Sequence, residues 1–326
     1  MRREPSSTQK AAEAAAAPRI RVVVIGAGYA GAVAANHLRL RDDVEITVVN
    51  PRPYFVERVR LHQVAAGTAD ATVPLATLLA DGVRLIVDRV TRIDTDERVL
   101  RLTSGRSLHY DYAIYAVGSL APVPSHVPGA KEFAVPVGDF ESATALRGTL
   151  ERLPEDAPIT VVGGGLTGIE TAAELAGRGR SVTLACGGRL APTLDDGCQR
   201  YIAGWLRRHR VTVLEGQTVT AVTADTVSFS DGQIRPSSVT IWAAGFAVPR
   251  LAADSGLSVD DRGRLMTDET LTSIDDERIV ATGDAASPSG MPYRMSCQAA
   301  APLGQQAANT VLSRIAGEQP KRSTWP

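Results

Sequence analysis

Two short stretches of this chain carry glycines in a spacing that can bind phosphate, GAGYAG at 26–31 and GGGLTG at 163–168. In each stretch glycine occupies the first, third and sixth positions. The first glycine allows a tight turn, the second lets the backbone approach a pyrophosphate, and the third lets a helix pack closely on a strand. A helix that begins at such a turn also attracts phosphate through its N-terminal amides. Each stretch therefore predicts a dinucleotide site.

The sequence on both sides of these stretches predicts the strands and helices that would position them. RIRVVVIG is a β-branched run typical of a strand buried on both faces of a parallel sheet. AVAANHLRL follows with helical apolar spacing, and VEITVVN is a second buried strand. The second stretch has the same frame in APITVVGG, IETAAELAGRG and SVTLACGG. A glycine loop between strand and helix is a much stronger signal than the spacing alone.

The repetition continues beyond the two glycine stretches. Residues 83–118 and 211–245 both contain short alternating segments with polar turns, which predict antiparallel meanders that close on an apolar strand ending in glycine. The economical interpretation is an internal duplication of a whole nucleotide-binding domain. The predicted fold class is therefore α/β, with two Rossmann-like dinucleotide-binding domains of the three-layer ββα type.

A third glycine motif, DERIVATGDAAS at 276–287, has no counterpart in the other half. It predicts a buried strand that ends at Gly283 and Asp284. Ligands bind at the carboxyl ends of strands in open α/β sheets, so Asp284 is predicted to face a cofactor hydroxyl. The same aspartate is also predicted to cap a helix. A helix rich in small residues is predicted for SCQAAAPLGQQAANTVLSRIAG.

Composition argues against several other functions. The net charge is -1 and aromatic residues make up 5% of the chain, so we predict no nucleic-acid partner. Three cysteines without a CxxC pair argue against a disulfide framework and a zinc site, and no metal is predicted. No apolar run reaches the length of a membrane helix. Residues 1–18 lack the apolar core of a signal peptide, so we expect a disordered tail and a cytoplasmic protein.

The order of the motifs resembles that of the flavoproteins with two dinucleotide-binding domains. That order is a first GxGxxG, AVG at 116–118, a second GxGxxG, AAG at 243–245 and then ATGDAA. The family includes pyridine nucleotide-disulfide reductases, ferredoxin reductases, type II NADH dehydrogenases and AIF-like oxidoreductases. The resemblance implies an FAD-binding domain at 19–135 and 247–320, with an NAD(P)H-binding domain at 136–246 inserted into it. The remaining residues, 1–18 and 321–326, are predicted tails.

The resemblance also implies which residues touch each cofactor. Asn50 stands where the family has an acid for the adenosine ribose, and an amide makes a weaker, neutral contact there. The implied FAD contacts are Gly26, Ala27, Gly28, Tyr29, Ala30, Gly31, Asn50, Pro51, Arg52, Arg58, Leu61, Val90, Ala116, Val117, Gly118, Gly283, Asp284, Gln298 and Ala299. The implied NAD(P)H contacts are Gly163, Gly165, Leu166, Thr167, Gly168, Glu170, Arg189, Ala244 and Gly245.

The choice between NADH and NADPH is open at this stage. The family usually carries an acid for NADH after the strand that here reads SVTL, whereas this chain offers Cys186 and Arg189. No carboxylate is present there to repel a 2′-phosphate, and Arg189 could pair with one. The alternative is that Arg189 is a solvated surface arginine.

Cysteine positions separate the branches of the family. The disulfide reductases need a thiolate pair beside the flavin, and residues 51–67, where one branch carries it, contain no cysteine. We therefore expect no hydride relay through a protein disulfide, and Cys186 and Cys297 are expected to be core residues. The segments PRPYFVERVRLHQVAAG and CQAAAPLG instead resemble type II NADH dehydrogenases.

Two departures from that branch concern the electron acceptor and the membrane. In the family motif AQxAxQQG, Gln298 and Gly304 match, but Pro302 and Leu303 replace the glutamine pair associated with the quinone pocket. The chain also stops at Trp325-Pro326, before the segment that supports dimerisation and membrane docking in the family. Homodimerisation and peripheral membrane contact are therefore open.

The function implied is an FAD-dependent NAD(P)H oxidoreductase that passes electrons to a quinone-like or other small acceptor. The candidate catalytic residues are Glu170, Gln298 and His62. Glu170 either lies near the nicotinamide or is a helix-dipole partner in the first turn of its helix. His62 and Arg58 either lie beside the flavin or have structural and solvated roles.

Two other functions are compatible with the same pattern. One is a flavoenzyme that acts on a dedicated metabolite, with the acceptor pocket rebuilt. The other is an AIF-like nucleotide-binding sensor or interaction protein with slow turnover. Fold alone does not separate the three.

Overall fold

The computed structural model describes residues 19–322, so the predicted tail at 1–18 and the end of the predicted tail at 323–326 lie outside the described residues. The strands are β1 Ile20–Ile25, β2 Val44–Asn50, β3 Tyr54–Val56, β4 Thr72–Pro74, β5 Val83–Val87, β6 Val90–Asp94, β7 Val99–Leu102, β8 Ser107–His109, β9 Tyr112–Tyr115, β10 Ala134–Pro136, β11 Pro158–Val162, β12 Ser181–Cys186, β13 Thr212–Glu215, β14 Val219–Val222, β15 Thr226–Phe229, β16 Ile234–Pro236, β17 Val239–Trp242, β18 Leu265–Thr267, β19 Ile279–Ala281 and β20 Ala286–Pro288.

The helices are α1 Tyr29–Leu38, α2 Leu61–Ala66, α3 Leu75–Leu78, α4 Ala130–Phe133, α5 Phe140–Arg152, α6 Leu166–Gly177, α7 Asp196–Arg208, α8 Leu251–Asp254 and α9 Cys297–Ile315. Two short 3-10 turns lie at Arg58–Arg60 and Gly283–Ala285. Within the described part of the chain, no helix is both long and apolar enough to cross a membrane.

The chain divides into two compact units. The first contains 19–53, Leu75–Gly118 and 249–322, and the second contains Tyr54–Pro74 and Ser119–Val248. These boundaries separate groups of residues that pack together. The FAD-binding and NAD(P)H-binding domains predicted from the sequence have different boundaries, at 135/136 and 246/247, and they remain a prediction.

The first unit contains a five-stranded sheet in the order β19-β9-β1-β2-β5, with every neighbouring pair parallel. The central strand β1 is a buried β-branched run, and Val22 and Val24 are 0% exposed. Such a run suits a strand covered on both faces, as the sequence predicted.

The second unit contains a sheet with the order β10-β17-β11-β12-β13, again parallel throughout. Its four strands β17-β11-β12-β13 correspond to β9-β1-β2-β5, but its edge strand β10 precedes the others in the chain, whereas β19 follows the others in the first sheet. A buried apolar cluster on this sheet includes Ile159, Val161, Leu184 and Ile241, and it extends to Leu61 and Val64 of α2. The segment 54–74 therefore shares its core with the second unit.

Each unit also carries a three-stranded antiparallel meander, β6-β7-β8 in the first and β14-β15-β16 in the second. Both meanders have an irregularity in the first strand, between Val90 and Arg92 and between Val219 and Ala221. The shared order of four strands and the shared irregularity confirm the predicted fold class, with each half built as an α/β nucleotide-binding fold, and they agree with the predicted duplication.

Candidate functional site

The first glycine loop joins β1 to α1 and can be built only from glycine at two of its positions. Gly26 has φ +99°. A Cβ there would lie 2.5 Å from the carbonyl oxygen of Ala116, and a Cβ on Gly31 would lie 2.0 Å from the carbonyl oxygen of Gly26. Both neighbours are backbone atoms, so they cannot move aside. The loop is therefore closed onto its own strand and onto the end of β9.

The second glycine loop, between β11 and α6, has the same geometry. Gly163 has φ +134°. A Cβ there would lie 2.9 Å from the carbonyl oxygen of Ala243, and a Cβ on Gly168 would lie 1.9 Å from that of Gly163. The first and sixth glycines thus serve packing in both loops, as the sequence predicted.

The middle glycines face open space instead. Gly28 and Gly165 are the N-cap residues of α1 and α6, both with extended backbone, and a Cβ on either would meet nothing within 4 Å. No side chain among residues 19–322 caps either helix, and neither first turn contains an acid. Uncapped amides at a helix start, beside space left by a glycine, fit the pyrophosphate of a dinucleotide.

The end of β2 secures the first loop through Asn50, which is 9% exposed. Its Oδ1 accepts a hydrogen bond from the amide of Ala27 at 3.0 Å, and its Nδ2 donates to the carbonyl of Arg52 at 2.8 Å. The side chain therefore holds the loop to the strand end. The predicted ribose contact would have to use the second N–H of the amide.

The end of β12, the corresponding place in the second unit, carries Cys186. It is 0% exposed and its Sγ would lie 2.9 Å from a Cβ on Gly164. Burial, with a smaller contribution from the Glu215 carboxylate, raises the pKa of this thiol to about 11. A protonated, buried thiol acts as a small apolar side chain here.

Arg189 lies beyond that strand with its side chain 69% exposed. Its Nη2 donates to Oδ1 of Asp196 at 3.1 Å and to Oε1 of Gln199 at 2.7 Å. The guanidinium is exposed but engaged, so a 2′-phosphate would have to compete with a carboxylate for it.

The strands beside each loop place further predicted residues at the same edge of each sheet. In the first unit β9 pairs with β1 up to Ile25↔Tyr115, so Ala116, Val117 and Gly118 follow at the carboxyl edge. In the second unit β17 pairs with β11 up to Val162↔Trp242, which brings residues 243–245 to the equivalent edge. Open α/β sheets bind ligands at this edge.

Gly283 and Asp284 reach the carboxyl edge of the first sheet through β19, which pairs with β9. The prediction that Asp284 caps a helix is wrong. It lies in the turn Gly283–Ala285, and the chain then continues as β20, which pairs with β18. The cap of α9 is Ser296, whose hydroxyl accepts from the amide of Ala299 at 3.2 Å.

The helix α9 packs directly on α1 in the first unit. A Cβ on Gly304 would lie 2.2 Å from the carbonyl oxygen of Ala30, so glycine is required for this approach. Gln298 and Ala299 are in the first turn of α9, and Gln298 is exposed. Pro302 lies inside the helix and has no N–H to donate to the carbonyl of Gln298.

Arg58 ties together parts of the second unit. Its Nη1 donates to the carbonyl of Ser119 at 2.8 Å, and its Nη2 donates to the carbonyl of Gly138 at 2.9 Å. Leu61 is 2% exposed and lies in the core of that unit. Arg58 is therefore not a solvated charge, and the FAD contacts of both residues stay predictions.

His62 and Glu170 meet in the second unit, where Nδ1 of the imidazole lies 3.8 Å from Oε2 of the carboxylate. Burial lowers the pKa of His62, an effect that Arg60 reinforces and Glu174 opposes. Burial raises the pKa of Glu170. Glu170 is the fifth residue of α6, so the prediction that it lies in the first turn is wrong.

The structure thus collects the predicted residues into two sets, one in each unit. In the first unit Pro51 and Arg52 follow β2, and Val90 begins β6. The glycine-loop, strand-end and Asp284 positions of that unit share one sheet edge.

Sequence reasoning missed Glu174, which lies one helical turn beyond Glu170 and whose carboxylate accepts a hydrogen bond from Thr68. The four-residue spacing from Glu170 was the available signal.

The three cysteines differ in how far they are buried. Cys186 is buried, Cys198 is exposed and Cys297 is partly exposed, and all three are free thiols. The expected core position is therefore confirmed for Cys186 and is wrong for Cys297. Within 19–322, no group of three or more His, Cys, Asp or Glu side chains could hold a metal ion.

Residues 20–304 match a family described as pyridine nucleotide-disulphide oxidoreductase. An NADH dehydrogenase-like protein of Mycobacterium tuberculosis is 32% identical over 326 residues, which cover 90% of this chain and 80% of the relative. A type II NADH:quinone oxidoreductase of Staphylococcus haemolyticus is 27% identical, with 92% and 84% of the two chains covered.

Solved structures show the same fold. An NAD-dependent persulfide reductase from A. fulgidus superposes with a TM-score of 0.79 and is 25% identical, over 94% of this chain but only 60% of that chain. NDH2 from Plasmodium falciparum, in complex with NADH, gives a TM-score of 0.73 at 22% identity, over 83% of this chain and 65% of that chain. The chain therefore spans less than two thirds of either of these solved proteins.

Proposed function

The chain belongs to the pyridine nucleotide-disulphide oxidoreductase family and is an FAD-dependent NAD(P)H oxidoreductase; on that premise we propose a division of labour between its two loops. The first glycine loop holds FAD, the second admits NAD(P)H, and the electrons leave to a small acceptor of the quinone type without passing through a protein disulfide.

One observation carries the proposal: two glycine loops with the same required geometry lie in two units whose sheets share the order of four strands. An enzyme that binds a single dinucleotide needs only one such loop. Two equivalent loops fit a chain that binds two dinucleotides at once.

The residues that would hold each group follow from the geometry of each unit. The open positions at Gly28 and Gly165 would admit the pyrophosphates, and the uncapped amides of α1 and α6 would bind them. Asp284, at the edge of the first sheet, would accept hydrogen bonds from hydroxyl groups of FAD. Bound FAD supplies the two-electron redox chemistry that the side chains lack, and the protein contributes position and electrostatics.

The state of the cysteines supports a route without a disulfide. A thiol with a pKa of about 11, as at Cys186, is almost wholly protonated at neutral pH and attacks poorly. Cys198 is exposed, and its hydrogen bond to Asp195 also raises its pKa. A variant with all three cysteines changed to alanine should keep its turnover with a quinone within about twofold of the wild type. Loss of turnover with the flavin still bound would contradict this route.

The acceptor class rests on the relatives. They include type II NADH:quinone oxidoreductases and a demethylphylloquinone reductase of Synechocystis, and these names support a quinone as the acceptor. The start of α9 gives no such support, because Pro302 and Leu303 replace the glutamine pair of the family motif and Leu303 is buried, with 3% exposed.

An acceptor screen tests this choice directly. Steady-state oxidation of NADH and NADPH would be followed with a soluble benzoquinone, a naphthoquinone, a small disulfide and oxygen. We expect kcat/KM for the quinones to exceed that for the disulfide and oxygen by more than about tenfold. A disulfide as the best acceptor would overturn the assignment.

Arg189 and Asp196 bear on the choice of nucleotide. Because Asp196 holds the guanidinium at 3.1 Å, we propose that it restrains the use of NADPH. Asp196→Asn should raise the NADPH/NADH ratio of kcat/KM by about two- to tenfold, since both side chains are exposed and the pair is weak. Arg189→Ala should lower the ratio. A strong NADH preference that neither variant changes would contradict a role for Arg189.

A further inference from the structure

The helix α7 presents one side to the core of the second unit and the other side to solvent. Ile202, Trp205 and Leu206 have the three- and four-residue spacing of one helix face, and all three pack in the apolar core of the unit. The opposite face is exposed, and three of its four large side chains are basic. These four residues are Arg200, Tyr201, Arg207 and Arg208.

The positive charge of this face is not neutralised by acids of the same segment. Residues 197–214 contain four arginines and one histidine but no aspartate or glutamate. At the start of α7, Asp195 caps the helix and Asp196 pairs with Arg189. Within 19–322, no ion pair is formed by the four arginines of the segment, which are Arg200, Arg207, Arg208 and Arg210.

The centre of the exposed face is low, because Gly204 has no side chain there. A Cβ on Gly204 would lie 3.5 Å from Nη1 of Arg208, so this guanidinium lies along the helix above the glycine. Tyr201 is 70% exposed, which makes it the most exposed aromatic side chain among residues 19–322. The face therefore presents guanidinium groups and one aromatic ring to the same side.

The turn that ends α7 carries a further arginine in an unfavourable backbone conformation. Arg210 has φ +60°, and the amide of Val211 donates to the carbonyl of Leu206 at 3.0 Å. The helix α6 ends in the same hydrogen-bonded turn, but there the left-handed position is Gly179, with φ +78°. Glycine is the residue that adopts this conformation at the lowest cost.

Helix stability accounts for only part of this basic segment. Arg207 and Arg208 lie in the last turn of α7, where positive charge interacts favourably with the helix dipole. Arg200 lies in the first half of the helix, where that interaction is absent, and Arg210 costs backbone energy. The exposed charge at these two positions points to a negatively charged partner.

The shape and charge of the surface distinguish between possible partners. A nucleic acid usually requires a basic domain, whereas this chain has a net charge of -1. Guanidinium groups bind phosphate through paired hydrogen bonds, and an exposed tyrosine ring is favoured at the headgroup level of a bilayer. A convex helix face with both features fits an extended layer of phosphate-bearing headgroups.

We propose that the basic surface of α7 docks on the anionic headgroups of a lipid bilayer. The basic surface consists of Arg200, Tyr201, Arg207, Arg208 and Arg210. It includes none of the residues proposed to bind FAD or NAD(P)H, and it is not the C-terminal segment to which the family resemblance assigns membrane docking. Each arginine that reaches the headgroups should strengthen binding by about fivefold.

The test measures binding of the full-length holoenzyme to vesicles by co-sedimentation. Vesicles of phosphatidylcholine alone would be compared with vesicles that contain about 30% phosphatidylglycerol, at a salt concentration of about 0.1 M. We expect binding to the anionic vesicles to be more than about tenfold stronger and to weaken as salt is raised. Equal binding to both kinds of vesicle, or binding to neither, would overturn the proposal.

Variants locate the contact on α7. The double variant Arg207→Gln, Arg208→Gln should lower the partition coefficient on anionic vesicles by about tenfold or more, and Tyr201→Ser should lower it by about two- to fivefold. The matched control changes Arg84 and Arg92, which are exposed arginines of the first unit, to glutamine. It removes the same charge and should keep binding within about twofold of the wild type. An equal loss in the control would show a general charge effect and overturn the assignment to α7.

Arg210→Gly separates docking from structure, since the two should change in opposite directions. Glycine relieves the left-handed backbone, so the melting temperature should rise by about 1–3 °C. Loss of the charge should weaken binding to anionic vesicles by about fivefold. Tighter or unchanged binding in this variant would contradict a contact at Arg210.

Two further outcomes would give the surface to another partner. Retention on an oligonucleotide column without binding to vesicles would assign it to nucleic acid. A wild-type dimer that dissociates in the Arg207→Gln, Arg208→Gln variant would assign it to a second copy of the chain. All α7 variants should oxidise NADH with a soluble quinone within about twofold of the wild type, so a failure of docking leaves the proposed function intact.

Discussion

The two glycine loops have the same backbone geometry but differ at two equivalent positions beside them. At the strand end next to each loop stands Asn50 in the first unit, bonded to the loop amide, and Cys186 in the second, which offers only packing. Two residues after the last glycine stands Val33 in one unit and Glu170 in the other. The loops share their strained glycines and differ in what surrounds them.

This difference is compatible with the proposal that the first loop holds a resident cofactor and the second an exchanging one. The first helix is pinned by α9 at Gly304, and its loop is fastened by Asn50, which favours a site that holds one ligand in place. The second helix packs on the short α2 and carries a half-exposed acid near the loop.

The largest effects should come from the sixth glycines, where the two loops are alike. Gly31→Ala and Gly168→Ala would place a Cβ 2.0 Å and 1.9 Å from a backbone oxygen. Each should lower the free energy of unfolding by more than about 3 kcal/mol or prevent folding, as measured by thermal and denaturant unfolding. A wild-type melting temperature in either variant would show that helix and strand do not approach each other this closely.

The middle glycines should separate the loops by cofactor. Gly28→Ala and Gly165→Ala meet no atom within 4 Å, so neither should change the melting temperature of the protein freed of ligands by more than about 3 °C. Gly28→Ala should lower the FAD content. Gly165→Ala should keep FAD at full stoichiometry and weaken NAD⁺ binding by more than about tenfold. The reverse pattern would exchange the roles of the two loops.

The strand-end residues should give a smaller and unequal effect. Asn50→Ala leaves the buried amide of Ala27 without its acceptor and should cost about 1–3 kcal/mol of stability. Cys186→Ala removes one buried sulfur and should cost about 1 kcal/mol. Urea unfolding of the two variants in parallel gives both values. A larger loss for Cys186→Ala than for Asn50→Ala would remove this contrast between the loops.

The smallest effect concerns Glu170 and pH. Burial raises the pKa of Glu170 in the folded protein above its ordinary value of 4.5, so folding favours the protonated acid. This favourable contribution is present below pH 4.5 and is lost as pH rises through the folded pKa. Glu170→Gln should therefore melt higher than the wild type at neutral pH, and the gap should close in acid. A gap that is constant with pH would argue against a raised pKa.

The sequence predicted those parts of the fold that depend on local patterns. Both glycine loops, the β-branched strands and the two meanders follow from spacing and alternation within one segment, and the structure confirms them. The small-residue helix after the third motif was also correct, because Gly304 and its neighbours keep helical spacing.

What the sequence could not predict depends on contacts between distant segments. The helix predicted at Asp284 is replaced by β20 because residues 286–288 pair with β18. Arg58 donates hydrogen bonds to Ser119 and Gly138, which are 61 and 80 positions away in the sequence. A pattern within one segment cannot predict such distant partners. The meeting of His62 with Glu170 depends in the same way on how α2 packs against α6.

The most direct test of the central claim, that one loop holds FAD and the other admits NAD(P)H, is the visible spectrum of the purified protein during anaerobic titration. The wild type should show bound flavin whose absorbance bleaches on addition of NADH or NADPH. The Gly165→Ala variant should show the same flavin and require a far higher nucleotide concentration to bleach. A protein that cannot be reconstituted with FAD, or a Gly165→Ala variant that bleaches like the wild type, would contradict the account.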